Sequence, residues 1–189
     1  KNTKVDAQML KDADVDAVIL AIGSSPITIK LEGMDKLQHA SAPEVLRHEV
    51  CPKGKVAVIG GGLVGLETAD TLATDGCDVT VLEMKDEIGS DLGSLRKIAV
   101  MMKLQQMQVK MLPNSKVCKF TEEGIVLEDE TLVPCNCAVF AVGFASNDSH
   151  LLVEECEKRQ IPCRVIGDAK SARRALDAIA EGFEAARTL

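Results

Sequence analysis

The sequence predicts an α/β fold with a parallel sheet, and three observations support this. Residues 55–83 follow the order strand, glycine turn, helix and strand, which is one βαβ unit. Residues 16–22 and 138–142 are nearly continuous apolar runs, each followed by glycine, as is typical of strands buried on both faces of a parallel sheet. Residues 117–133 alternate short apolar runs with acidic turns, which predicts a small antiparallel meander.

Local signals predict the individual elements. Pro43, at a favoured first helical position, predicts a short helix, and the spacing of Leu95, Ile98 and Met102 predicts another. The predicted helices are 43–49, 63–74, 94–107, 150–160 and 172–186. The predicted strands are 16–22, 55–59, 78–83, 109–112, 117–120, 125–127, 132–133, 138–142 and 164–166.

Side-chain pattern predicts which faces of two helices are apolar. The last predicted helix is amphipathic, with four apolar residues on one side, namely Leu176, Ile179, Ala180 and Phe183. The methionines of the 94–107 helix and the strand after it are expected to fill the core, and these are Met101, Met102, Met107 and Met111.

Composition excludes several function classes. The 189 residues are 46% hydrophobic and 27% charged, as in a cored globular protein, and no apolar run approaches the 18 residues of a membrane span. The net charge is −7, and the sole dense basic cluster is Lys170, Arg173 and Arg174. A nucleic-acid partner and a membrane are therefore not expected, because phosphate binding needs a basic face.

The seven cysteines predict reduced, mostly buried thiols and a cytoplasmic location. No CxxC pair is present, and the three histidines are not spaced with cysteines as zinc ligands, so no metal site is predicted. Cys135 and Cys137 are two residues apart and would point to the same face of a strand. His39, His48 and His150 stand in no catalytic motif, and no catalytic residue is predicted.

A glycine fingerprint, G-x-G-x-x-G, follows the 55–59 strand and opens the 63–74 helix. Its residues are Gly60, Gly61, Gly62, Leu63, Val64 and Gly65. The first glycine permits the tight turn, the second lets the backbone approach a diphosphate, and the third lets the helix pack closely on the strand. The N-terminus of the helix then favours an anion, so we predict a dinucleotide site.

Glu83 ends the next strand, 23 positions after Gly60, near the spacing expected for a ribose contact. A carboxylate there accepts hydrogen bonds from ribose hydroxyls and repels a 2′-phosphate, which favours NADH over NADPH. Lys85 keeps the alternative open, because it would meet a 2′-phosphate if its loop turned inward. Glu67 is either a solvated side chain of the helix or a polar group facing the nicotinamide cleft.

These motifs together resemble the pyridine nucleotide–disulfide oxidoreductases, flavoproteins that bind two dinucleotides. Ile22 and Gly23 lie in a segment similar to the first crossover between the two domains, and Gly143 lies in one similar to the return crossover. Gly167 and Asp168 resemble the late FAD motif, whose aspartate contacts the ribityl chain of the flavin. A Gly-Asp turn also occurs widely without such a role.

The resemblance implies a Rossmann-like, three-layer NAD(P)H-binding domain with a β-meander crossover, inserted in a truncated FAD-binding domain. The implied bounds are 39–150 for the NAD(P)H domain and 1–38 and 151–189 for two pieces of the FAD domain. Gly143 would line the nicotinamide cleft, and Ile22, Gly23, Gly167 and Asp168 would face FAD.

Residues 165–183 are most similar to the C-terminal end of NADH:flavin oxidoreductases related to 2,4-dienoyl-CoA reductase. That likeness implies that hydride passes from NADH to FAD, and electrons then pass to FMN and a 4Fe–4S cluster in N-terminal domains of the same protein. Residues 1–189 contain no second fingerprint for the FAD diphosphate, so we expect this chain to be a fragment of such an enzyme.

The glycine fingerprint also allows an alternative function, a non-catalytic module that binds a dinucleotide or ADP. Incomplete pieces of an FAD domain would expose apolar faces, which predicts association of the chain into a homo-oligomer.

Overall fold

The computed structural model describes residues 2–189, so Lys1, the first residue of the predicted 1–38 piece, lies outside the described residues. Its helices are α1 (Ala7–Asp12), α2 (Ala42–Leu46), α3 (Leu63–Thr74), α4 (Ser94–Gln106), α5 (His150–Lys158) and α6 (Ala175–Thr188). Its strands are β1 (Val18–Leu20), β2 (Ser24–Pro26), β3 (Gln38–Ser41), β4 (Lys55–Ile59), β5 (Asp78–Leu82), β6 (Lys110–Leu112), β7 (Val117–Thr121), β8 (Gly124–Leu127), β9 (Leu132–Pro134), β10 (Cys137–Phe140), β11 (Phe144–Ser146) and β12 (Cys163–Val165).

The chain divides into two compact units. The central unit is Pro26–Gly143, and the flanking unit combines the residues up to Ser25 with Phe144–Leu189. The central unit contains a five-stranded parallel sheet in the order β3-β10-β4-β5-β6 and a three-stranded antiparallel sheet, β7-β8-β9. An α/β fold with a parallel sheet and a meander is therefore confirmed.

Alternating side chains of β4 explain the three layers of the central unit. Val56 and Val58 point into a core shared with α2, α3 and α4, which we call the helix-side core. Ala57 and Ile59 point into a second core with β7, β8 and β9, which we call the meander-side core. A strand covered on both faces needs an apolar residue at every position, and this is why β4 lacks the polar alternation of a surface strand.

The flanking unit contains α1, α5, α6 and two short sheets. β1 pairs in parallel with β12, and β2 pairs with β11. The Arg159 guanidinium ties α1 to α5, because it donates to the carbonyls of Leu10 and Ala13, the latter at 2.9 Å. A 3₁₀ turn over Gly167–Ala169 precedes α6.

Several predicted elements need correction. β1 is shorter than the predicted 16–22 strand and Ile19 is 40% exposed, so the prediction of burial on both faces is wrong there. The helix predicted from residue 172 begins at Ala175, because the backbone N–H of Arg174 donates to Asp177 at its first turn. The elements α1, β2, β3 and β11 were not predicted.

Side-chain directions differ from the prediction at two places. Cys137 lies in the helix-side core and Cys135 in the meander-side core, because the chain turns between β9 and β10 and breaks the strand alternation. In α4, Leu104 packs into the helix-side core, whereas Leu95, Ile98 and Met102 are exposed. Met102 is therefore not a core residue, while Met101, Met107 and Met111 pack against that core.

The central unit begins before the predicted boundary at residue 39. Leu37 is buried in the meander-side core, and Ile29, Leu31 and Met34 pack against that core, so the segment before β3 packs with the residues that follow it. The unit ends at Gly143 rather than residue 150, since the chain after it belongs to the flanking unit.

Candidate functional site

A cavity of about 520 Å³ lies in the central unit at the carboxyl ends of β4, β5 and β10. Ligands of open α/β sheets bind at this edge. Six predicted residues line it, namely Gly60, Gly62, Leu63, Val64, Glu83 and Gly143. Lys85, the sequence-based candidate for a 2′-phosphate contact, also lines it. Residues that were not predicted line it too, and they include Ser90, Asp91, Ser115 and Lys116.

Two glycines allow the close approach of β4, α3 and the chain after β10. Gly60 has φ +111°, and a Cβ there would lie 2.4 Å from the Ala141 carbonyl oxygen. A Cβ on Gly65 would lie 1.9 Å from the Gly60 carbonyl oxygen. Both approaches are to backbone atoms, so a larger residue would force the turn and the helix apart.

The Glu83 carboxylate is held against the fingerprint turn. Its Oε2 accepts from the backbone N–H of Gly61 at 2.7 Å, and its Oε1 accepts from that of Lys85 at 2.9 Å. Gly61 itself is buried behind the turn, where an added Cβ would meet the Glu83 Cβ at 3.0 Å. The end of β5 thus places an anionic, half-buried group beside the glycine turn.

A second carboxylate lies at the N-terminus of α3. The backbone N–H of Leu63 donates to Asp91, with distances of 3.1 Å to Oδ1 and 3.0 Å to Oδ2. Sequence reasoning missed this residue. Its one signal is an aspartate between Gly89 and Gly93, in the loop that follows the fingerprint's ribose-contact position.

Glu67 lies outside this cavity. Its carboxylate accepts from Arg96 of α4 at 2.8 Å, and both side chains are exposed. The structure therefore places it in a surface ion pair between α3 and α4, in line with the solvated alternative.

The remaining predicted residues come together in the flanking unit. The Asn147 side chain donates to the carbonyl of Ile22 at 2.8 Å, and its backbone N–H donates to the carbonyl of Gly23 at 3.0 Å. The Ser24 hydroxyl donates to Asp168 Oδ2 at 3.1 Å, and the Arg173 N–H donates to Oδ1 at 3.2 Å. Asn147 was not predicted, since no motif marks it.

Glu181 holds the turn that carries Gly167. The backbone N–H of Gly167 donates to its Oε2 at 2.7 Å, and Arg173 donates to its Oε1 at 2.5 Å. These hydrogen bonds, with the Arg173 guanidinium the largest influence, lower the pKa of Glu181 to about 2. Two residues of the basic cluster, Lys170 and Arg173, therefore neutralise a carboxylate of α6.

Two buried cysteines, Cys135 and Cys137, stay protonated at neutral pH. Burial raises the pKa of both Cys135 and Cys137 to about 11. Over residues 2–189, no three of the histidine, cysteine and acidic side chains are grouped so as to hold a metal ion. Nor does any helix in that range have the length and apolar character to cross a membrane.

Comparisons with known proteins agree with this geometry. The family model "Pyridine nucleotide-disulphide oxidoreductase" matches residues 1–169. A bilirubin reductase of Mediterraneibacter gnavus is 36% identical over 97% of this chain and 29% of its own length. An NADH oxidase of Thermoanaerobacter brockii is 31% identical over 96% of this chain and 29% of its own length.

A solved 2-naphthoyl-CoA reductase has the same fold, with a TM-score of 0.87 and 24% identity over 100% of this chain and 29% of that chain. The chain thus spans less than a third of the length of these relatives. Because the family model covers most of the sequence and the reductase and oxidase are clearly related to it, the chain belongs to the pyridine nucleotide-disulphide oxidoreductase family.

Proposed function

We propose that the cavity of the central unit binds NADH, and that the longer protein uses it as the electron donor of a flavin-dependent oxidoreductase. The observation that carries the proposal is the glycine turn at the end of β4. Its backbone can approach a diphosphate because Gly60 and Gly62 have no side chains, and the Glu83 carboxylate is hydrogen-bonded to the same turn through the Gly61 N–H.

The acceptor capacity of Glu83 supports a ribose contact. An ionised carboxylate offers about four lone-pair sites, and the N–H groups of Gly61 and Lys85 use two of them. The others can accept from the ribose hydroxyls. A 2′-phosphate in the same place would meet a like charge, so NADH is the proposed cofactor, with NADPH through Lys85 as the weaker alternative.

FAD is the proposed partner cofactor, bound in part by Ile22, Gly23, Gly167 and Asp168. Each oxygen of Asp168 accepts one hydrogen bond within the chain, which leaves lone pairs for a ribityl hydroxyl. We propose that the longer protein supplies the cradle for the FAD diphosphate. Its relatives, more than three times as long as the matched segment, leave room for one.

FMN and a 4Fe–4S cluster are proposed for other domains of the longer protein, as in the enzymes related to 2,4-dienoyl-CoA reductase. Residues 2–189 contain no group of three histidine, cysteine or acidic side chains that could hold a metal ion, so we propose that the cluster lies elsewhere in the longer protein. The free thiols of this chain support a reducing, cytoplasmic compartment.

The chemistry needs no acid, base or nucleophile from this chain. NADH supplies a hydride when bound, and a flavin is a suitable acceptor. The chain's own residues bind and orient the nucleotide: α3 holds the diphosphate, Glu83 fixes the ribose, and Val142 and Gly143 line the adjoining part of the cavity.

Thermal unfolding of the purified chain with NADH or NADPH tests the proposal. NADH at about 100 times its Kd is expected to raise the free energy of unfolding by about 2.7 kcal/mol. NADPH at the same concentration is expected to raise it less. Equal shifts with the two nucleotides would remove the assigned preference, and no shift with either would remove the site.

Glu83→Gln separates charge from shape. The amide keeps the size of the side chain but loses the negative charge, so we expect NADH affinity to fall and the NADH preference over NADPH to shrink. Asp86→Asn, an exposed charge change in the next loop, is the matched control. If Glu83→Gln left the ratio of the NADPH Kd to the NADH Kd unchanged, the assignment of Glu83 to the ribose would be contradicted.

An absorbance spectrum distinguishes the enzyme fragment from a non-catalytic module. Flavin that stays with the chain after FAD is added, and that NADH bleaches, would support the redox function. A chain that binds NADH or ADP but neither retains nor reduces flavin would favour the module, or a fragment that needs its other domains.

A further inference from the structure

Asp91 occupies the place where the nucleotide diphosphate is proposed to bind. Both of its carboxylate oxygens lie within 3.1 Å of the Leu63 N–H, which opens α3. A Cβ added to Gly62 would also lie 3.2 Å from Asp91 Oδ2, so the carboxylate covers the second glycine of the fingerprint. The N-cap residue of α3 is Gly62, which has no side chain to cap the helix.

The loop that carries Asp91 is anchored on both sides. Ile88 is buried in the helix-side core, and the Gly89 N–H donates to the Gly61 carbonyl at 2.7 Å. Leu92 packs against the same core, while Asp91 itself is exposed. Rotation of one exposed side chain would therefore clear the helix N-terminus without moving the anchors.

A carboxylate and a diphosphate cannot share the same N–H group and the same positive end of a helix. Both are anions, and both gain from the unpaired N–H groups of the first turn. We propose that Asp91 is a built-in competitor for the diphosphate, which stabilises the nucleotide-free site and lowers its affinity for nucleotides. This inference rests on the proposed nucleotide function of the site.

The competition predicts opposite effects of Asp91→Ala on stability and on binding. Without ligand, the variant should melt lower by about 2–4 °C, because a helix cap is lost. With ADP, its Kd should be roughly tenfold lower than in the wild-type chain, since no internal anion has to leave. Adenosine, which has no phosphate, should bind the two proteins equally.

Two further variants separate local competition at α3 from a general change of charge. Asp86→Ala removes an equal charge from the same loop and is expected to change the ADP Kd much less. Asp91→Asn loses the charge but keeps an acceptor for the Leu63 N–H, so its ADP Kd should lie between those of Asp91→Ala and the wild type. Calorimetric titration gives the Kd values, and circular dichroism confirms folding.

The possible outcomes distinguish this inference from the proposed function. If the wild-type chain binds ADP and Asp91→Ala binds it no better than Asp86→Ala does, the inference is overturned and the nucleotide site stands. If Asp91→Ala raised the affinity for ADP and for adenosine by the same factor, the inference would also be overturned. If neither the wild type nor any variant binds ADP or NADH, the proposed function fails, and the competition fails with it.

Discussion

Gly65 and Gly182 both lie inside helices, yet their surroundings differ. In α3, a Cβ on Gly65 would meet the backbone oxygen of Gly60 at 1.9 Å. In α6, the nearest atom to a Cβ on Gly182 would be Ile166 Cδ1, at an ordinary contact distance of 3.8 Å. One glycine is required by packing, and the other is a weak point of its helix.

The same substitution should therefore have opposite effects at these positions. Gly65→Ala is expected to destabilise the chain by about 2–4 kcal/mol, because backbone atoms must shift. Gly182→Ala is expected to stabilise it by about 0.5–1 kcal/mol through lower entropy of the unfolded chain. Urea unfolding measures both changes, and a stable Gly65→Ala would contradict the packing assigned to the fingerprint.

Some residues of the candidate site could be predicted from the sequence, and others could not. Gly60 and Gly65 were predictable because their spacing is tied to one turn geometry. Asp91 and Asn147 were not, since each acts through a backbone group far away in sequence, Leu63 N–H and the Ile22 carbonyl. Only the folded chain brings such groups within hydrogen-bonding distance.

At the scale of elements, α2 is set by a polar pair at its start. The backbone N–H and hydroxyl of Ser41 both donate to the Glu44 carboxylate, at 2.7 and 2.6 Å. The sequence Ser-x-x-Glu at 41–44 is a signature of a helix start, but the prediction used Pro43 instead and placed the helix one residue too late.

This pair predicts a specific acid sensitivity. The Ser41 hydroxyl, and then its backbone N–H, lower the pKa of Glu44 below its ordinary value of 4.5. The ionised Glu44 carboxylate therefore makes its full contribution to folding stability above pH 4.5. That contribution is lost as the pH falls through the folded-state pKa of Glu44. Glu44→Gln should be about 1 kcal/mol less stable at pH 7, and the difference should shrink as the pH falls through the lowered folded-state pKa of Glu44.

Ser41→Ala should show the same pH-dependent loss, and Ser41→Ala with Glu44→Gln should add little to either single change. Thermal unfolding at several pH values measures these differences. A Glu44→Gln deficit that stays constant with pH would contradict an ionised Glu44 as the source of the stability.

The helix α4 shows why periodicity alone does not orient an element. Leu95, Ile98 and Met102 form one apolar stripe, while Val100, Met101 and Leu104 form a second on the opposite side. Both have helical spacing, so the pattern predicts the helix but not its buried face. In the structure, Leu104 lies in the helix-side core, and ion pairs of Arg96 with Glu67 and of Lys103 with Asp70 join this orientation of α4 to α3.

At the scale of the whole molecule, the order of elements was predictable wherever strands are buried on both faces. The strands β4 and β10 carry nearly continuous apolar runs, and both were found near their predicted positions, as were α3 and β5. The flanking unit was harder to predict. Its strands have three residues each and are partly exposed, so they leave only weak patterns in the sequence.

The exposed apolar stripe of α6 supports the prediction that copies of this chain associate with one another. Leu176, Ile179 and Phe183 are each about 70% exposed or more, whereas the small residue Ala185 is buried. We expect a concentration-dependent increase in mass by light scattering, reduced in Phe183→Lys. Leu151→Lys, at an exposed leucine of α5, is the control. A monomer at all concentrations would contradict this expectation.

The position of β10 has a consequence for how the chain folds during synthesis. Its residues pair with β3 on one side and β4 on the other, and both neighbours are translated much earlier. Until residue 140 has left the ribosome, those two strands have no partner between them and expose unpaired backbone edges. Such long-range pairing slows folding. The five-stranded sheet should therefore form late, after the whole nucleotide-binding segment has been made.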